Sequence, residues 1–289
     1  MGRIADRLEG AAAYALIGGM LRLPYKTRVR LMGRVMARAV GPLAGWRARA
    51  EANIGHIWLD TPASERAQIV SGALDNFGRT LIENYSGAES GGQLERTTPE
   101  GNGLPDLAKA KADGRPVIFV TGHIGNHEAP RRVLTRLGYK VGGLYRPMRN
   151  PHVNARYAET MSGLSGPVFP QGTEGTRGLL RHLRDGGMAT LLFDVYDANG
   201  AEFPFLGQPA KTALSAAEIA LKYDALLIPY FGIRSDNGLD FEVQVDAPIP
   251  HTDPLTMMME ATAALEARIH AHPDQWFWVH RRWKPFFGL

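Results

Sequence analysis

Short unbroken apolar runs, bounded by glycine or proline, alternate along this chain with longer stretches of helical periodicity. The first run is Pro116-Val-Ile-Phe-Val120, set between Gly114 and Gly122. A segment apolar at every position suits a strand buried on both faces. Residues 188–193 and 226–233 repeat the pattern, 140–144 is a shorter version, and Phe241–Val245 alternates as a late strand. Between these runs, residues 106–112, 131–137, 175–184, 215–222 and 256–270 are spaced as helices. Strands taking turns with helices predict an α/β fold, with a mostly parallel or mixed central sheet flanked by helices on both faces. Upstream, residues 64–85 carry Ile69, Val70, Ala73, Leu74, Phe77, Leu81 and Ile82 at helical spacing, as a core-packing helix would. Residues 86–105, rich in Gly, Pro and Thr, are expected to form a loop.

The first fifty residues behave differently. They hold ten Lys/Arg against only Asp6 and Glu9, and no acidic residue lies between Gly10 and Ala50. The whole chain has a formal net charge of +4, so the surplus positive charge sits at the N-terminus. Residues 10–23 are rich in Ala, Leu, Ile and Gly, and Pro24 interrupts them. Beyond it, Val29, Met32, Val35, Met36, Ala39 and Val40 fall on one helical face, and Arg30, Arg34 and Arg38 on the opposite one. Such a helix can lie in the headgroup layer of an anionic membrane, apolar side inward and arginines on lipid phosphates. It can also pack on the protein body with its basic face solvated. No stretch reaches the roughly 20 apolar residues needed to span a bilayer. The apolar run is broken by Arg22 and lacks a signal-type cleavage site, so it is expected to stay on the mature protein. Residues 1–50 are therefore expected to form basic amphipathic membrane-associating helices, and 51–289 the α/β domain. The absence of cysteine removes disulfides, thiolate nucleophiles and cysteine-ligated zinc.

The segment richest in chemistry is Val120-Thr-Gly-His-Ile-Gly-Asn-His-Glu-Ala-Pro130. It follows a buried strand, where α/β proteins place their ligands. On a continuous helix, positions five apart point about 140° away from each other, so His123 and Glu128 meet only across a turn. Gly122, Gly125 and Asn126 suit that turn, and Pro130 suits the first turn of a following helix. A carboxylate on one ring nitrogen fixes the histidine tautomer and makes the other nitrogen a better base toward an alcohol. The pattern predicts His123 as general base and Glu128 as its orienting partner. A second reading takes His123, His127 and Glu128 as ligands of a metal-dependent hydrolase, but Gly125 and Pro130 argue against the continuous helix that reading needs. A third is a non-catalytic lipid-binding protein.

Five ordered blocks make a resemblance. Gly122-His-Ile-Gly-Asn-His-Glu128 resembles the H-x-x-x-x-D/E motif of the bacterial lipid A biosynthesis acyltransferases, the lauroyl and myristoyl transferases related to glycerolipid acyltransferases. Tyr145-Arg-Pro-Met-Arg-Asn-Pro151 is similar to that family's Tyr-Arg-Pro-x-x-Asn-Pro block, and Thr176 to Gly186 to its helix-and-glycine block. Phe193-Asp194, followed by Phe203-Pro-Phe-Leu-Gly-Gln-Pro-Ala-Lys-Thr212, resembles a further block in two parts. Gln275-Trp-Phe-Trp-Val-His-Arg-Arg-Trp-Lys284 resembles the C-terminal signature. His127 stands where the family usually has Trp, and Val195 where it has Gln; both bear on acceptor or chain preference more than on reaction type.

The resemblance implies a membrane-associated O-acyltransferase at the cytoplasmic face of the inner membrane. Its acyl donor is a thioester, acyl carrier protein or acyl-CoA, and its acceptor a lipid hydroxyl such as that of a lipid A precursor. It implies no metal, no organic cofactor and no nucleic-acid partner. Arg146, before Pro147 and so on extended or turn backbone, suits a phosphate or a developing oxyanion. Asn126, Arg149, Asn150 and Arg177 are expected to bind substrate phosphate or brace the backbone. Asp194, ending a buried strand, is expected to hold Arg146 or Arg177. Trp276, Trp278 and Trp283 are expected to pack in the core or against the membrane, and His280-Arg-Arg282 to brace the fold or meet an acidic carrier.

Overall fold

The computed structural model describes residues 3–147 and 151–284. Seven strands form the main sheet in the order β1-β9-β8-β2-β5-β3-β4: β1 (Pro99–Glu100), β2 (Val117–Thr121), β3 (Val141–Tyr145), β4 (Val168–Pro170), β5 (Met188–Leu192), β8 (Leu226–Arg234) and β9 (Phe241–Val245). The five from β8 to β4 run parallel, whereas β9 is antiparallel to β8 and carries β1 along with it. A separate antiparallel hairpin is made by β6 (Ala201–Phe205) and β7 (Gln208–Thr212). Its two-residue turn, Leu206-Gly207, has positive φ at both positions, the twist a tight hairpin requires.

Helices cover both faces. Alternation along β2 sends Ile118 and Val120 into the larger core, which α10 (Thr173–Arg184), α11 (Ser215–Tyr223) and α12 (Pro254–Ala271) close. Val117 and Phe119 face a second core under α7 (Leu104–Asp113) and α8 (Ala129–Arg136). The predicted sandwich of helices around a mixed sheet is what forms. α9 (Pro151–Ser165) adds a wall beside β4.

The N-terminal helices α1 (Arg3–Leu21), α2 (Tyr25–Val35), α3 (Gly41–Leu43) and α4 (Trp46–Ile57) wrap onto α5 (Ala63–Tyr85), with a π-helical turn at Met36–Val40 between α2 and α3. Pro24 separates α1 from α2. The apolar face of α2 is not open: Val29 and Met32 are fully buried in a cluster with Ile17, Met20 and Ile82. Glycines allow the close approach, since a Cβ at Gly78 would stand 2.6 Å from the Met32 carbonyl oxygen. Of the basic residues, Arg28 is buried, donating to Ser86 and to the Leu21 and Leu23 carbonyls, while Arg30, Arg34 and Arg38 are exposed. Among the described residues no helix is long and apolar enough to cross a membrane.

The expected loop at 86–105 is partly a helix, α6 (Gly87–Leu94). Tertiary contacts override its glycines: Leu94 buries against Ala129 and Val133 of α8, and Arg132 Nη2 donates to the Gly87 carbonyl at 3.0 Å.

Candidate active site

Parallel pairing of β2 with β5 sets Thr121 opposite Leu192. Two residues past each strand end, His123 and Asp194 therefore come side by side. His123 Nδ1 lies 2.8 Å from Asp194 Oδ1. The His123 backbone N–H donates to Asp194 Oδ2 at 2.7 Å, and the Trp276 indole N–H donates to the same oxygen at 2.9 Å. Gly122 is required where the two meet, because a Cβ there would stand 3.0 Å from Asp194 Oδ2 and closer still to Leu265. Asp194 has no exposed surface. Burial alone would push its pKa up, but the charge and hydrogen bonds of His123, with His280 nearby, outweigh burial and hold the carboxyl far below the usual range. An ionised Asp194 makes Nδ1 the protonated nitrogen of His123. The lone pair on Nε2 is then left for a substrate.

The partner of His123 is thus Asp194, where the spacing predicted Glu128. The turn does form, but it aims the glutamate elsewhere. Glu128 stands at the N-cap position of α8 without a side-chain capping bond, and its Oε2 accepts from Arg131 Nε at 2.9 Å. Burial pushes this carboxyl up and the buried Arg131 guanidinium more than compensates, so it is lowered overall. Asp194 in turn does not hold Arg146 or Arg177. Arg146 lies at the cavity wall, and Arg177 is exposed on α10 away from it. Arg149 and Asn150 lie outside the described residues. The Asn126 amide is engaged within the protein: Nδ2 donates to Glu83 and Oδ1 accepts from the Glu128 backbone N–H.

A buried polar network holds the turn. Gly125 has φ +55, and a Cβ there would stand 2.0 Å from the Gly232 carbonyl oxygen. Its own carbonyl accepts from Asn76 and Thr80, both on α5. Behind them Arg234 makes a bidentate pair with Glu83, at 2.6 and 2.8 Å, and donates to Asn76 at 2.8 Å. Gln275 ties in the C-terminal segment through Arg234 and Gly125. From that segment Phe277 N–H donates to the His123 carbonyl at 2.9 Å. Trp276, Trp278 and Trp283 are all fully buried, packed with Phe205 of the hairpin. Arg282, also buried, donates to Lys211 and Thr212 on β7 and braces the fold.

The ring of His123 faces a cavity of about 780 Å³ at the carboxyl ends of the strands. Leu144, Met161, Val168 and Leu192 give it an apolar wall, and Arg131, Arg146, Arg281 and Lys284 give it cations. His127 and Val195, the two positions that depart from the resembled motif, line it as well. Two further imidazoles flank His123: His127 with its ring centroid 5.2 Å away, and His280 at 4.4 Å, edge to face. Burial, then the neighbouring His123, pushes His127 down to about 4 and His280 to about 3. Both are neutral at physiological pH. The sequence pattern singled out neither the His280 contact nor Arg131. The Asp194 contact had a signal, namely two apolar strand runs each ending two residues before a titratable side chain.

Fold and site together define an α/β protein with a histidine, a buried aspartate behind it, and a cavity lined by both apolar and cationic side chains. The sequence profile of the bacterial lipid A biosynthesis acyltransferases matches residues 9–285, and the chain belongs to that family. Two Haemophilus influenzae proteins, each named lipid A biosynthesis acyltransferase, are similar to it. One is 22% identical over 260 residues, covering 89% of this chain and 81% of its own. The other is 24% identical over 251 residues, covering 82% and 77%. Membership makes the chain an acyltransferase.

Proposed function

We propose that the protein transfers a fatty acyl chain from a thioester, acyl carrier protein or acyl-CoA, to a hydroxyl of a phosphorylated lipid such as a lipid A precursor. The site belongs at the cytoplasmic face of the inner membrane. The observation that carries this reading is the bond of 2.8 Å between His123 Nδ1 and a buried, ionised Asp194, with the same ring open to the cavity.

In the reaction, His123 Nε2 takes the proton of the acceptor hydroxyl as its oxygen attacks the thioester carbonyl. Asp194 holds the ring and stabilises the imidazolium that forms. The tetrahedral intermediate collapses, the C–S bond breaks, and the leaving thiolate takes the proton back from His123. The products are an ester and a free thiol. The apolar wall suits an acyl chain; Arg146, with Arg281 and Lys284, suits a phosphate. Glu128 keeps a place in the site by fixing Arg131 at the cavity wall.

The test is acyl transfer in vitro from carrier-bound and coenzyme-bound chains, with wild type, His123→Ala and Asp194→Asn. Loss of about two orders of magnitude or more in kcat is expected for both variants. Transfer that survives His123→Ala overturns the assignment.

A further inference from the structure

His280 Nε2 is buried and has no hydrogen-bond partner among the described residues. Native proteins leave few polar atoms in that state, and those left tend to mark a function. The surroundings give this imidazole a specific meaning. A ring nitrogen of His123, a ring nitrogen of His280 and a carboxylate oxygen of Asp194 all lie within 4.8 Å of one another. His127 and Glu128, from the hydrolase reading, are not in this group.

We propose that His123, His280 and Asp194 form a binding site for a divalent transition metal, zinc foremost, and that the bound metal switches acyl transfer off. Two imidazoles and one carboxylate suit zinc, cobalt or nickel, whereas magnesium and calcium want oxygen ligands alone. Metal–ligand bonds of about 2.0–2.1 Å put neighbouring ligand atoms roughly 3.3 Å apart in a tetrahedral site. The His123–Asp194 contact, at 2.8 Å, has to open slightly. The backbone is already anchored for this. Asn53 Nδ2 donates to the carbonyls of both Trp278 and His280, and Phe277 N–H donates to that of His123. The cavity offers the fourth position to water. If His123 binds through Nδ1, its proton shifts to Nε2, and no lone pair is left there to accept the hydroxyl proton. If it binds through Nε2, the base itself is occupied. Either way transfer stops. The switching half of the proposal rests on the acyl-transfer reading; the metal site does not.

The experiment titrates the full chain, stripped with chelator, with Co²⁺ by visible absorption and with Zn²⁺ by calorimetry. The same Zn²⁺ series is run on acyl transfer. Expected are one-to-one binding and loss of activity at the same metal concentration, reversed by chelator, with binding weakened at least tenfold in His280→Gln. Cysteine cannot confound the result, since the chain has none. Should His280→Gln fail to fold, X-ray absorption of zinc-loaded wild type decides, two imidazole ligands supporting the site and fewer overturning it. Binding unchanged in a folded His280→Gln, or no one-to-one binding, overturns the site. Metal that binds but raises activity overturns the switch. A protein that binds metal and shows no transfer in its metal-free form sinks the acyl-transfer reading and leaves the site standing.

Discussion

At the scale of single residues, two carboxylates compete for the role of orienting His123, and geometry separates them. Asp194 touches the imidazole and is unexposed, while Glu128 holds Arg131. Asp194→Asn keeps the shape but can leave the proton on the wrong nitrogen, so kcat falls by orders of magnitude with little change in KM. Glu128→Gln loosens Arg131 instead, and its expected signature is a raised KM with a smaller loss of kcat. Equal kcat losses in the two variants would contradict this division of labour. Acid stability is a second residue-scale consequence. His127 and His280 fall from an ordinary 6.5 to about 4 and about 3 in the folded protein, so the unfolded chain binds more protons below about pH 6.5. Stability is fully present above that pH and is lost as pH falls through about 4 for His127 and about 3 for His280, on the order of 8 kcal/mol for the pair. Asp194, lowered in the fold, loses its own contribution only below its unfolded value near 3.8. Denaturant midpoints measured from pH 7.5 to 4.5 are expected to decline, and the decline to shrink in His127→Gln. A flat profile would show that neither imidazole is held neutral by the fold.

At the scale of elements, the turn between β2 and α8 depends on Gly125 and on the polar network beneath it. Gly125→Ala needs a backbone conformation costly for a side chain and drives a methyl into the Gly232 carbonyl, so destabilisation of roughly 2–4 kcal/mol is expected. Glu83→Ala strands the Arg234 guanidinium in the interior and is expected to cost about 3–5 kcal/mol. Chemical denaturation measures both, and wild-type stability in either would refute the clamp. Strands β2, β3, β5, β8 and β9 and most helices were legible because most of their apolar runs are short and continuous, whereas the short β1 and β4 and the hairpin β6–β7 carry no such run. The helix at Gly87–Leu94 was not, since its glycine-rich sequence is rescued by Leu94 and by Arg132 from another element. The Asp194 pairing was half legible: the strand ends could be read, but register is set by strands 71 residues apart in sequence. The motif spacing drew the eye to Glu128 because sequence proximity says nothing about which way a turn aims its side chains.

At the scale of the whole molecule, the N-terminal charge asymmetry becomes a question of which surface meets a membrane. Burial of Val29 and Met32 against α5 removes the apolar face of α2 from that role. What remains outward are Arg30, Arg34 and Arg38 along one side, with Leu31 37% and Leu43 89% exposed nearby in sequence. If this segment meets an anionic surface, the attraction therefore rests on charge, with few apolar side chains there to insert. Deleting residues 1–40 would strip α2 from α5 and confound binding with unfolding. Substitution is the cleaner probe. Each basic residue near an anionic leaflet contributes on the order of 1 kcal/mol, so replacing all three arginines with glutamine should weaken vesicle binding about a hundredfold. The wild-type interaction should also weaken steeply between low and high salt, because exposed charges are screened over about 10 Å at 0.1 M ionic strength. Sedimentation with vesicles of mixed anionic and zwitterionic lipid, at two salt concentrations, reads both effects. Activity toward a detergent-dispersed acceptor should be unaffected, since none of the three arginines lines the cavity. Binding that ignores both salt and the triple substitution would move the membrane contact away from α2 and onto apolar side chains elsewhere.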